Sequence, residues 1–289
     1  MKILVIGNGF LATSIVEKLD SEGHEILIFS RMQNFKIKSR QILGDIFDYE
    51  GFLEVLAWKP QVVIHTAWIT TPGVYRNDQS NFQYAEFTTK LAKSLHNSEI
   101  EHLIILGTCA EYGMQDGPST AGLTALSSTT LYAQQKIIAF NSVNEILRDS
   151  PVRLTWARVF YPYGPNQDQR RLIPRLISSI KNGEPIVLSD TSSVYDWITA
   201  RDVALAISWV LAHNLPTEID LGTSFGFTNL EILRILENLL QMKSSLPPEN
   251  THNFGLSEVF VASKNSPLFT SGWSPKDSIG AGLEWTLGR

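Results

Sequence analysis

Tyr132 and Lys136 stand four residues apart in Leu131-Tyr132-Ala133-Gln134-Gln135-Lys136, a spacing that puts both on one face of a helix. An ammonium beside a phenol favours the phenolate. The pair is therefore expected to draw the Tyr132 pKa down from its ordinary value of about 10 toward neutrality, where the hydroxyl serves as acid or base. Upstream, Leu103-Ile104-Ile105-Leu106 reads as a buried strand that ends in Gly107-Thr108-Cys109-Ala110-Glu111-Tyr112-Gly113. The Thr108 hydroxyl at that strand end can hold the substrate oxygen that exchanges a proton with Tyr132. Tyr-x-x-x-Lys by itself is carried by many helices as a cation–aromatic pair, so its weight comes from where it falls in the chain. Cys109 reads as a small buried residue and not as a nucleophile, because no His is near it in sequence.

A proton donor at a carbinol or carbonyl oxygen needs a hydride partner, and the first eighteen residues supply a place for one. Ile3-Leu4-Val5-Ile6 is an apolar, β-branched run that reads as a strand buried on both faces. It breaks at Gly7-Asn8-Gly9, and the chain resumes at Phe10-Leu11-Ala12 with Leu11, Ile15, Val16 and Leu19 at helical spacing. Strand, glycine turn and helix start form the corner that holds a dinucleotide pyrophosphate. Gly7 serves the tight turn, Gly9 the close approach of the phosphates, and Ala12 the close packing of helix on strand. A glycine-rich turn in some other α/β protein is the alternative; the strand before and the helix after favour the dinucleotide. In that setting a nicotinamide moves the hydride, Tyr132 moves the proton, and Lys136 tunes Tyr132 while reaching the nicotinamide ribose.

The elements between these motifs alternate. Ile26–Phe29, Val62–His65 and Leu103–Leu106 read as strands, with helices over Tyr49–Trp58, Asn81–Leu95 and Leu131–Leu147. This predicts an α/β, Rossmann-type, doubly wound parallel sheet with right-handed crossovers and the ligand outside the carboxyl ends of the strands. At the end of the second strand stands Ser30-Arg31 in place of an acid. A guanidinium there suits a 2′-phosphate and so NADP over NAD; a solvent-facing Arg at a strand end is the alternative. Asp45, with Ile46, can accept from the adenine amino group, and Thr66-Ala67 let the cofactor lie across the strand end. His65 reads as a packed structural side chain. Ile69–Ser80, with Thr70 and Thr71, reads as a loop on the substrate rim.

Further on, Pro151–Arg158 reads as a strand, Leu172–Lys181 as a helix, Ile186-Val187-Leu188 as a short strand, and Asp202–Leu211 and Asn229–Leu240 as helices. Met242–Asn253 reads as a loop. The 289 residues are 43% hydrophobic and 18% charged, the balance of a globular protein able to bury a full core. No apolar run approaches the roughly 18 residues that suggest a membrane helix, and Met1-Lys2 leads straight into a strand with no signal-peptide pattern. One cysteine excludes an internal disulfide framework and fits a cytoplasmic, reducing compartment. A net charge of −5 argues against nonspecific nucleic-acid binding. No metal site is expected.

With these residues in view, the chain resembles the extended short-chain dehydrogenase/reductases, in their nucleotide-sugar epimerase/dehydratase/reductase branch. The likeness runs through Gly7–Ala12, Gly44-Asp45-Ile46, Ile64–Ala67, Asn81, Thr108–Gly113, Tyr132–Lys136, Arg158, Tyr163-Gly164-Pro165, Leu172–Arg175, Asp196, Asp202-Val203-Ala204 and Gly272-Trp273-Ser274-Pro275. The resemblance implies an NAD(P)-binding Rossmann domain over residues 1–165, with a returning segment near 200–224 and a strand at Ile219–Leu221. It also implies a smaller C-terminal substrate-binding lobe, mostly within 166–289, and dimerisation through the Tyr-x-x-x-Lys helix. Ile137, Ile138 and Phe140 serve such a homodimer or simply the core. Family dehydratases carry an Asp-Glu pair where this chain has Cys109-Ala110, which speaks against water elimination. The family's diphosphate-contacting Asn and Arg are replaced by Tyr161 and Tyr195. Arg170, Arg171 and Arg175 are candidate replacements, or else a solvated basic stretch.

The expectation is an NADP-dependent oxidoreductase that reduces a keto group of a nucleotide-linked sugar, such as a 4-keto-6-deoxy sugar, with Tyr132 as proton donor. The alternatives are an NAD-dependent nucleotide-sugar epimerase and a non-catalytic dinucleotide-binding sensor, the last with no need for Thr108, Tyr132 and Lys136 together.

Overall fold

A computed structural model describes residues 1–188, 190–244 and 258–289. Seven parallel strands form the main sheet: β1 (Lys2–Ile6), β2 (Glu25–Ser30), β3 (Arg40–Leu43), β4 (Val62–His65), β5 (His102–Thr108), β6 (Arg153–Val159) and β9 (Glu218–Leu221), in the order β3-β2-β1-β4-β5-β6-β9. The order reverses beside β1, between β1 and β4, which is where a doubly wound sheet opens a ligand crevice. The strand interiors alternate between two cores. Leu4 and Ile6 of β1 pack with α2 (Tyr49–Leu56), α3 (Ser80–Leu95) and α4 (Leu131–Leu147); Ile3 and Val5 pack with α1 (Phe10–Ser21) and α6 (Ala200–Ala212). Burial on both faces explains why these strands are continuous apolar runs in sequence.

A second, four-stranded sheet carries the outer wall. β8 (Val194–Thr199) pairs with β7 (Tyr161–Tyr163) and β11 (Val259–Phe260) in parallel and with β10 (Gly226–Thr228) antiparallel. Its core joins Tyr163 and Trp197 to α5 (Leu172–Asn182), α7 (Asn229–Leu240) and Leu283 of α9 (Ile279–Thr286). The short α8 (Pro267–Thr270) instead buries Leu268 against the main sheet.

Most expected elements occur within two residues of their expected bounds, and α4 spans the expected residues at both ends. The returning strand is present: β9 runs parallel to β6, with Ile219 opposite Ala157. One expected strand is corrected. Ile186-Val187-Leu188 forms none; Ile186 and Leu188 pack into the second core while Val187 faces solvent, so the short apolar run there reflects burial without a ladder. The loop expected over Met242–Asn253 lies mostly outside the described residues. Asp202, in the first turn of α6, has a buried carboxylate that accepts the backbone N–H groups of Lys276 and Asp277, tying the C-terminal segment to the helix.

Candidate active site

The strand ends set the floor of the site. Register places Ile6 beside both Phe29 and His65, so the first turn and the ends of β2 and β4 lie side by side. Gly7 has φ +102°, and a Cβ there would come within 2.6 Å of Thr66 Oγ1 and 3.1 Å of the Ala67 nitrogen. Only glycine fits that approach. Gly9 caps α1, where no side chain bonds the helix's first N–H groups and a Cβ would meet nothing within 4 Å. The open helix head, with Phe10 and Leu11 in its first turn and no acid there, fits a dinucleotide pyrophosphate.

Around it the other expected cofactor residues gather. Thr66 spends its hydroxyl on the Ile6 carbonyl at 2.9 Å, which locks β4 to β1. Ser30 is buried and donates to the Met32 carbonyl at 2.8 Å. The loop after β2 is stapled to the glycine turn: Asn8 donates to Met32, and Asn34 donates to the Asn8 carbonyl and Thr13 Oγ1, both at 3.0 Å. Arg31 is exposed and reaches the Tyr84 hydroxyl at 3.4 Å. Asp45 is half-buried, its carboxylate accepting the Phe47 N–H at 3.1 Å, and Ile46 is buried beside it.

β5 runs three residues beyond the point where it pairs with His65, so Thr108 stands clear of the neighbouring strand end. A 3₁₀ turn, Cys109–Tyr112, follows. Its capping box has Thr108 Oγ1 accepting the Ala110 N–H at 3.3 Å and Glu111 Oε1 accepting the Thr108 N–H at 2.8 Å. Tyr132 and Lys136 sit in the first turns of α4, both buried, on the same side as Thr108. The Tyr132 ring lies edge-to-face with Tyr75 at 4.9 Å, and its N–H donates to the Arg76 carbonyl at 2.9 Å. The loop 70–79 is thereby fastened over the head of α4. Thr71 begins its turn by accepting the Val74 and Tyr75 N–H groups, both at 3.1 Å. Asn81, fully buried, holds the far end: it accepts from Trp68 Nε1 at 2.7 Å and donates to the Tyr75 and Asp78 carbonyls.

Here one expectation is corrected. Tyr132 is not drawn toward neutrality by Lys136. Burial is the largest influence and pushes its phenol up, Tyr75 adds to that, and the nearby Thr108 hydroxyl pulls the other way. Lys136 is itself pulled down to about 7 by burial, against the opposing charge of Glu111. Its Nζ donates to the Leu106 carbonyl at 2.5 Å and lies 4.0 Å above the Trp68 ring. A neutral phenol next to Thr108 is a proton donor in waiting, which is the form a reduction requires.

His65 is structural: it is buried, bonded to Thr88 Oγ1 at 3.0 Å and kept neutral, its pKa pushed down to about 3 by burial. Burial pushes the Cys109 thiol up, so it is no thiolate. Among the described residues no group of three His, Cys, Asp or Glu side chains is placed to hold a metal ion.

The expected substrate residues separate into two groups. Arg171 Nη2 donates to the Thr70 carbonyl at 2.6 Å, and its guanidinium lies 5.3 Å from the Tyr75 ring centre, over the loop that covers Tyr132. Tyr161 and Tyr195 meet edge-to-face at 4.6 Å in an aromatic wall with Trp197 and Phe260. Tyr195 donates its hydroxyl to the Asp190 carboxylate. Arg170 is turned away: its fork closes on Asp168, at 2.9 and 2.6 Å, because the two are neighbours in an exposed turn. Arg175 lies on the exposed side of α5. The sequence reading missed Arg76. The Tyr75 side chain beside it holds its guanidinium above the ordinary arginine range, and its charge acts on Tyr161 and Tyr195. The signal was slight: one cation in a polar loop over the strand ends.

An open helix head at the β1 turn, an order reversal beside it and a Thr-Tyr-Lys trio at the end of β5 and the head of α4 define an NAD(P)-dependent enzyme of the doubly wound class. The profile of the NAD dependent epimerase/dehydratase family matches residues 3–222, and the chain belongs to that family. It is an enzyme of the NAD(P)-dependent sugar-nucleotide epimerase and dehydratase kind. It is 22% identical to a UDP-glucose 4-epimerase of Lactobacillus helveticus, over 99% of this chain and 97% of that protein. It is 24% identical to a dTDP-D-glucose 4,6-dehydratase of Bos taurus, over 99% and 87%. Its fold matches the Thermus thermophilus UDP-glucose 4-epimerase in complex with NAD, with a TM-score of 0.84, 22% identity and coverage of 100% and 98%. It also matches the Bacillus anthracis dTDP-glucose 4,6-dehydratase in complex with NAD, at 0.82, 23%, 100% and 96%. No helix among the described residues is long and apolar enough to cross a membrane.

Proposed function

We propose that this enzyme is an NADP-dependent reductase of a keto group on a nucleotide-linked sugar. The observation that carries the reading is the convergence of Thr108, Tyr132 and Lys136 at the end of β5, with the phenol neutral. A bound nicotinamide dinucleotide supplies the hydride. Gly7, Gly9, Phe10 and Leu11 cradle its pyrophosphate. Asp45 and Ile46 would hold the adenine end, Thr66 and Ala67 would line the strand end beside it, and Lys136 would hold the nicotinamide ribose. Thr108 holds the substrate oxygen by a hydrogen bond and Tyr132 gives that oxygen its proton. Reduction is favoured over dehydration because Cys109 and Ala110 stand where a dehydratase needs acid and base. NADP is favoured over NAD because β2 ends in Ser30-Arg31 with no carboxylate to repel a 2′-phosphate.

The substrate lies between the 70–79 loop and the second sheet. Arg76 and Arg171, flanking Tyr75, hold its diphosphate, while Tyr161 and Tyr195 supply a flat wall for sugar or base. Copies of the chain associate through α3 and α4, whose outer face carries Phe82 and Ile138, each about half exposed at 50%; Phe140 belongs to the core.

The test mixes the purified chain with NADPH and a dTDP-4-keto-6-deoxyhexose, and separately with UDP-glucose. Loss of reduced cofactor with the first, equal to sugar reduced, is the expected result. Interconversion of the second sugar with tightly held NAD and no net cofactor use would establish the second reading, an epimerase. That reading draws on the resemblance to UDP-glucose 4-epimerases along nearly the whole chain.

A further inference from the structure

Glu111 is fully buried beneath the end of β5, yet no step above uses it. We infer that Glu111 is a positioning residue for the reaction: it fixes Thr108 through the backbone and supplies the counter-charge that favours the Lys136 ammonium against burial. The inference rests on the assignment of Thr108, Tyr132 and Lys136 as the reacting groups.

The carboxylate is held from two sides. From β5, the Thr108 N–H donates to Oε1 at 2.8 Å, which sets the turn that aims the Thr108 hydroxyl. From β6, residues on one face of the strand donate to Oε2: Trp156 Nε1 at 3.0 Å and Arg158 Nε at 2.7 Å. Arg158 is satisfied further by Glu218, at 2.7 Å from Nη1. The Trp156 indole that donates to Glu111 also lies under Lys136, with Nζ 5.9 Å from a ring centre, so the acid and the amine flank one side chain. Gly107 makes the room. A Cβ there would fall 2.8 Å from Glu111 Oε1 and closer still to Trp156 Nε1. A glycine in a central strand costs stability, so its use here marks a close approach.

The groups that face Lys136 from the elements packed on it leave Glu111 as its counter-ion. His65 on β4 is neutral, Tyr132 on the same helix is neutral, the Trp68 and Trp156 rings carry no net charge, and Glu111 is the group that raises the Lys136 pKa against burial. With that charge present burial still pulls Lys136 down to about 7, so without the carboxylate the proton is given up below neutrality.

The experiment is a titration of lysine ¹³Cε resonances in the full chain, with Lys136 assigned from Lys136→Arg, compared between the native protein and Glu111→Gln. Glutamine keeps an acceptor for the Thr108 N–H and loses the charge. The Lys136 midpoint should fall by about one pH unit or more while the other lysines stay put. The alkaline limb of kcat should move the same way with little change in KM. An unmoved Lys136 midpoint in folded Glu111→Gln overturns the inference. If Glu111→Gln does not fold, Lys136→Met serves instead. Coupling is reciprocal, so the Glu111 carboxyl should protonate at a higher pH than in the native chain, and an unmoved Glu111 midpoint overturns the inference. The resonance shifts need no substrate. A shifted midpoint in a chain that turns over neither sugar upholds the coupling and overturns the reaction instead.

Discussion

The two walls of the cleft are built on opposite principles. On the main-sheet side most polar groups near the reacting residues are tied to named partners, with His65 Nδ1 and Arg158 Nη2 buried without one. Thr66 is spent on Ile6, Asn81 on Trp68 and the 75–78 loop, and Glu111 on Thr108, Trp156 and Arg158. On the second-sheet side Tyr161, Tyr195, Trp197 and Phe260 pack ring on ring, and the cations nearby lie on loops. In a low-dielectric floor an unpaired polar group is costly, so the geometry there is over-determined. Aromatic rings share a wall with little directional demand, so that wall can change with the substrate while the chemistry stays fixed. On the proposed function, catalysis belongs to one wall and substrate choice to the other.

That division can be broken most sharply at Tyr132. Tyr132→Phe should lower kcat by ~10²–10⁴ with KM nearly unchanged, read from steady-state rates; a native kcat would remove catalysis from the main-sheet wall. Gly107→Ala is the next largest effect. Its methyl collides with Glu111 and Trp156, so it should cost about 1–3 kcal/mol in chemical denaturation. The same change at Gly9, which meets nothing within 4 Å, should leave stability far less altered and weaken dinucleotide binding instead. In the 70–79 loop that faces the second wall, Arg76→Ala should raise KM for a nucleotide sugar ~10-fold or more while kcat holds. A fall in kcat with KM unchanged would move Arg76 into the chemistry. Arg31→Ala sharpens the cofactor corner: Kd for NADP should rise about tenfold and that for NAD should stay, since only the former carries the 2′-phosphate.

The smallest expected effect is in acid. His102, buried and bonded to Thr155 Oγ1 and Arg153, has its pKa pushed down to about 3 by burial and by the Arg153 charge. The unfolded chain takes up that proton below its ordinary value of 6.5, and the folded chain does not. Stability contributed by the neutral ring is therefore full above that pH and lost as pH falls toward 3. His102→Gln should flatten this part of the stability profile, measured by denaturant midpoints against pH. A profile of unchanged slope would show that the buried ring does not set the acid limit.

Much of the main-sheet wall is legible in the chain itself. Ile3–Ile6, Ile26–Phe29, Val62–His65 and Leu103–Leu106 announce strands buried on both faces, and Tyr132 and Lys136 share a helix face by spacing alone. The second wall was not. Val194–Thr199 mixes Val, Tyr, Asp, Trp, Ile and Thr and gives no clean alternation, because its residues answer to three partner strands and a packed aromatic cluster. Ile186–Leu188 gave the opposite error, a short apolar run whose burial has no strand beneath it. Arg170 and Arg171 look alike in sequence; one closes on Asp168 and the other crosses to Thr70, a hundred residues away, which only the fold could decide.

Local spacing determined which residues enter strands and helices and which faces they share, because those periodicities are properties of the backbone. Ionisation was decided elsewhere. Whether Tyr132 is neutral, whether Lys136 keeps its proton and what Glu111 is for depend on how deeply each is taken out of water and on which distant charge it meets. Glu111 meets Trp156 and Arg158, 45 and 47 residues further on. Burial and charge pairing are set by chain crossings in space, and these the tertiary structure alone supplies.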